Sequence, residues 1–228
     1  MKTFMIFVIV FVVVACGPAT PTPKWKENAY EQLELYKTGF LTGKEGSGGP
    51  HFTKSKREMA SGNDLQLLSV AYLTKYALHV ACLESFDPSE MTQIARIEPE
   101  AYDAAYLHFL KGDFRVVDAR RLPVRYAGVL KAAAISDSAK AVREISAMED
   151  PLSRLVACGV WIKYLTGDEN LLVVCIDTAS ANGWSRPLWA YLSRLESLYL
   201  ERGEKAKAEA VKERMNLFKD ITSMGKNR

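Results

Sequence analysis

Histidine and cysteine are scarce in this chain, at three and four residues. His51, His79 and His108 are scattered, and only His79 and Cys82 are spaced to share a helix face. Two ligands do not close a tetrahedral zinc site, and no Cys-x-x-Cys pair occurs, so no metal is expected. Hydrolytic motifs are missing too: there is no Gly-x-Ser-x-Gly elbow. The glycines of residues 44–50 (KEGSGGP) are not followed by the lysine and hydroxyl residue of a nucleotide loop, and they read as a flexible connection. Carboxylates are plentiful, but Glu196, Glu201, Glu204, Glu209 and Glu213 belong to charged helix faces. None is marked as a carboxyl held in an apolar pocket, as glycan cleavage requires. With no nucleophile, base and orienter that belong together, the expectation is a non-enzyme with no catalytic residue and no cofactor.

Strand patterns are equally absent. No run alternates with period two, and no Asn-Gly or Asp-Gly joins β-branched runs. Leu171-Leu172-Val173-Val174-Cys175-Ile176 comes nearest to a strand, yet its place between Asp168 and Ala179-Ser180-Ala181 suits a buried helix better. The net charge of +3 is too small to argue for nucleic acid. Arg115, Arg120, Arg121 and Arg125 form a local basic cluster, suited to phosphate or lipid headgroups or simply to a solvated face.

What is present begins at the N-terminus. Lys2 is followed by twelve apolar residues, Phe4 to Ala15. That is too few for a membrane-spanning helix, which takes about twenty. A basic start, a short apolar run and a small-residue exit describe a secretory signal peptide. Val13-Val14-Ala15-Cys16 resembles the lipobox of bacterial lipoproteins, with Val13 where leucine is usual. The resemblance implies cleavage before Cys16 and a covalent lipid on it, the only bound group expected. Gly17 is not the aspartate associated with inner-membrane retention, so the implied address is the outer membrane of the cell envelope, facing the periplasm. Residues 17–23 (GPATPTP) cannot be helical and suit an extended spacer. The resulting division is a signal peptide (1–15), a lipidated Pro-rich linker (16–24), a helical body (25–220) and a polar tail (221–228).

From Trp25 onward the chain reads as all-α. Trp25, Ala29, Leu33, Tyr36 and Phe40 recur at helical spacing up to Gly43. Further helices are expected at 51–61, from Asp64 to about Ser85, and at 124–134, 136–149, 151–166, 168–182, 185–202 and 204–219. Asp87-Pro88 and Asp150-Pro151 pair a capping residue with a proline at the first helical position. Short connections make neighbours antiparallel. If Thr166-Gly167-Asp168 turns such a hairpin, Cys158 and Cys175 stand at matching places on its arms. An oxidising compartment permits a disulfide there; two small buried thiols packing across the hairpin is the simpler reading.

The turns at Ser136, Gly167 and Gly203 lie 31 and 36 residues apart, near the 34 of tetratricopeptide repeats. One unit carries Tyr199, Gly203 and Ala208 at the signature positions, with Lys212 and Met215 departing from it. Lys163, Gly167, Leu172, Ile176 and Ala179, and before them Ala132, Ser136, Ala141, Ile145 and Met148, are weaker copies. The body therefore resembles a degenerate tetratricopeptide-like solenoid of stacked antiparallel hairpins. By that resemblance the expected function is a membrane-tethered scaffold or adaptor for another envelope protein, with no nucleic-acid partner. Arg120, Arg121, Arg186, Trp189 and Tyr191 are the candidate contacts. The alternatives are a cell-wall glycan hydrolase or lyase, or a carrier of a small hydrophobic ligand.

Overall fold

The computed structural model describes residues 22–101 and 103–224; the expected signal peptide, Cys16 and the last four residues lie outside them. Eleven α-helices and three short 3-10 turns make up the described chain, with no strand. The first hairpin is α1 (Lys24–Leu41) and α2 (Glu45–Ser61), followed by α3 (Leu65–Ala81), α4 (Ser89–Ile97) and α5 (Ala104–Leu110). After an irregular stretch come α6 (Ala127–Ala134), α7 (Ser138–Ser146) and α8 (Pro151–Tyr164). The chain continues through α9 (Glu169–Ala181), α10 (Ser185–Glu201) and α11 (Lys205–Met224). The apolar run Leu171–Ile176 is helical, within α9.

The turns share one chemistry. Gly43, Asn63, Leu83, Gly112, Ser136, Gly183 and Gly203 all take positive φ, the left-handed conformation that ends a helix. Aspartates then start new helices: Asp64, Asp103, Asp137, Asp150 and Asp168 each accept a backbone N–H from the first turn that follows. This stop-and-start unit makes the connections short.

One expectation fails at residues 44–50, where α2 already begins at Glu45 and carries Pro50 inside it. Gly48 is buried, its backbone lying against Tyr36, Gly39 and Phe40 of α1. Tertiary contact here overrides poor helix propensity. The hairpin is further tied by a buried bond from Ser55 Oγ to the Ala29 carbonyl (2.8 Å) and by His51 Nδ1 with Gln32 Oε1 (2.8 Å). At the other end α11 continues to Met224, into the segment expected as tail.

Two hydrophobic clusters meet along α3. Leu67, Ala71, Leu78 and Cys82 face the α1–α2 hairpin, while Leu73, Tyr76, Ala77, Val80 and Ala81 face the remaining helices. The second face packs on α8, whose Leu155 to Trp161 are all buried. Gly159 admits the Val80 carbonyl so closely that a Cβ would collide with it. So α3 and α8, distant in sequence, form the centre of the stack. Cys158 and Cys175 bridge α8 to α9 as a disulfide, both fully buried, which replaces the expectation of packed free thiols. The start of α10 returns to α1, where Ser185 Oγ donates to the Thr42 carbonyl (2.8 Å).

Candidate functional site

An open cleft of about 590 Å³ lies between α1, α3 and the starts of several later helices. Leu41, Leu73, Ala77, Leu152 and Val156 supply apolar walls, with Tyr106 and Tyr126 among them. The remaining wall comes from residues that precede or open helices: Asp103, Pro123, Asp150-Pro151 and Trp184. Glu34, Lys37 and Arg125 put charges of both signs around the apolar surface.

The two tyrosine hydroxyls lie 3.5 Å apart. Burial, then the neighbouring Tyr126, push the Tyr106 phenol far above its ordinary value; burial likewise raises Tyr126, so both stay neutral. They add two neutral hydroxyls beside the apolar part of the recess. The carboxylates of the cleft are already engaged. Asp103 accepts from Tyr106 N (3.1 Å), Asp150 from Ser153 N (2.7 Å), and Glu34 pairs with Lys37 at 2.8 Å.

A second polar cluster closes the far end of α3. Leu83 adopts φ +59°, and the Glu84 N–H turns back to the His79 carbonyl (2.8 Å). The Glu84 carboxylate then accepts from His79 Nδ1 (2.7 Å) and, in a fork, from Arg186 Nε (2.6 Å) and Nη2 (3.1 Å). The Arg186 guanidinium also lies 4.0 Å over the Phe40 ring, and Lys163 donates to the Glu84 carbonyl. Burial raises the Glu84 pKa, but the hydrogen bonds from His79 and Arg186 outweigh it, and the net shift is downward. Desolvation pulls Lys163 below the usual lysine range. The Glu84 carboxylate thereby joins α3 to α10, its carbonyl takes in α8 through Lys163, and the Arg186 guanidinium extends the cluster to Phe40 of α1.

The structure separates the residues expected to bind a partner. Tyr191 is fully buried and its hydroxyl donates to the Leu155 carbonyl (3.1 Å), so it is a core residue and not a contact. Arg186 serves the Glu84 cluster, and Trp189 is half-buried against the main core. Arg120 and Arg121 lie exposed on the irregular stretch before α6, with Arg121 near the start of α3 and Arg186 at its end. They do not form one surface. Sequence reasoning passed over Val70, Tyr106 and Tyr126, which line the cleft; the helix-start signal at Asp150-Pro151 marks part of its wall, but nothing in the sequence says that it converges with the other helix starts. His79 Nδ1 is engaged by Glu84 and Cys82 is buried, and no group of three metal-ligating side chains occurs among the described residues.

Fold and site together define an all-α protein of packed helical hairpins with an open, partly aromatic cleft. No known protein family, curated protein or solved structure matches the chain.

Proposed function

We propose that the chain is a lipid-tethered scaffold or adaptor of the bacterial envelope that grips another protein in the cleft between α1, α3 and α8. The observation that carries the binding half is the cleft itself: open to solvent, apolar within and edged by charges of both signs. Such a recess suits an apolar side chain or short segment of a protein partner, with polar groups fixing its orientation. The tether half rests on Val13-Val14-Ala15-Cys16. Anchoring raises the effective concentration of partners in the same membrane compartment, so a modest groove suffices. The open shape favours a protein over an enclosed lipophilic ligand, and the engagement of Asp103, Asp150 and Glu34 in caps and an ion pair favours binding over glycan cleavage.

Photo-crosslinking in intact cells tests this. A photoreactive residue in place of Val70, which is exposed on the cleft, is expected to give a discrete protein adduct, and one in place of Leu200, outside it, is not. Equal labelling from both positions, or none from Val70, would overturn the proposal.

A further inference from the structure

We infer that the groove between α9 and α11 is the contact face of a two-fold symmetric dimer, its occupant a second copy of this chain. The groove has a volume of about 320 Å³ and shares no residue with the cleft. Leu192 and Leu195 of α10 form its floor, both buried, while Asp177 of α9 and Arg214 of α11 stand exposed on opposite walls. Neither charged side chain has a hydrogen bond or ion pair among the described residues. Beside them apolar side chains face solvent: Val173 is 43%, Leu217 59% and Phe218 47% exposed. An apolar floor, apolar rims and one charge of each sign fit a protein surface that presents the two charges in the opposite order.

The directions of the helices make this chain's own surface that partner. Tyr199 Oη donates to Glu169 (2.8 Å), which sets the end of α10 beside the start of α9. Lys207 lies 5.0 Å over the Tyr199 ring and Ser193 Oγ 3.8 Å from Met215 Sδ, so α11 runs back along α10 in the same way. Helices α9 and α11 are therefore parallel to each other, and Asp177 and Arg214 lie at about the same height across the groove. A two-fold axis through the groove between them exchanges its walls and reverses their direction. Each Asp177 then meets Arg214 of the second copy. Val173, four residues before Asp177, meets Phe218, four residues after Arg214, with Leu217 beside it. Opposite charges and exposed apolar groups are thus matched in a single register, and each match occurs twice. Leu200, nearer the end of α10, is not part of this face.

Sedimentation equilibrium of the full-length protein in density-matched detergent tests this, because it reads the mass of the protein alone. The wild-type chain is expected to show a monomer–dimer equilibrium. Asp177→Arg and Arg214→Asp should each raise the dimer dissociation constant more than about tenfold, since either change puts two like-charge contacts into the interface. An equimolar mixture of the two variants should regain a dimer of near wild-type strength, because both pairs reform between copies with their signs reversed. Leu217→Ser, which keeps every charge, should weaken the dimer severalfold. All three positions are exposed, so the helical circular dichroism stays unchanged. A wild-type chain that is monomeric throughout, or a dimer that both charge variants retain, overturns the inference. So does a mixture that stays monomeric, since the two charges would then not meet across a shared face.

Discussion

Glu84 follows a leucine held in the left-handed region, a conformation that costs a non-glycine residue about 1–2 kcal/mol. It also places a negative charge at a helix C-terminus, where the dipole opposes it. His79 of the same helix compensates together with Arg186 of α10 on the carboxylate and Lys163 of α8 on the carbonyl, so two other segments are drawn onto this residue. Because the folded carboxyl releases its proton more readily than an unfolded one, the unfolded chain takes up more protons as acid is added. The stabilisation is complete above the ordinary glutamate pKa and is lost as pH falls through the depressed value. Glu84→Gln should cost about 1–2 kcal/mol near neutral pH and flatten that acid limb, read by urea unfolding across pH. Ser136 is exposed at φ +53°, so Ser136→Gly should raise stability by about 0.5–1 kcal/mol. The rise is measured as a shift in thermal midpoint, and a fall would contradict the assignment of that turn.

Among the elements, close approach matters more than propensity. Gly159 and Gly128 both lie in helices, and a Cβ on either would collide with a neighbour. At Gly159 the obstacle is the Val80 backbone carbonyl, which cannot move without separating α3 from α8. At Gly128 it is the carboxylate end of Glu144, which swings aside. Gly159→Ala should therefore lose about 3 kcal/mol, while Gly128→Ala should stay within about 0.5 kcal/mol of the parent once the helix preference for alanine is counted. Urea midpoints of the two variants check the contrast. The helices of the second half were legible because capping aspartates and left-handed turn residues bracket periodic apolar runs. Residues 44–50 were not, since what makes them helical is the face of α1 around Tyr36 and Phe40, not anything local. Tyr191 was misjudged for the same reason: its helical position left its orientation open, and the α8 carbonyl of Leu155 captured it.

At the scale of the whole molecule, α3 packs on α8 and the start of α10 returns to α1, so hairpins distant in sequence share one core. A cleft formed where separate helix starts converge cannot be read from a repeat pattern, which describes neighbours only. Its walls are helices of both clusters and the connections that open them, a suitable base for recognition. The proposed function depends on that body being held at a membrane by a lipid on the sixteenth residue. Intact mass spectrometry of the protein isolated from its own envelope tests this most directly. The predicted result is a chain beginning at Cys16 with the added mass of acyl groups; a chain that starts elsewhere, or carries no lipid on Cys16, would contradict it.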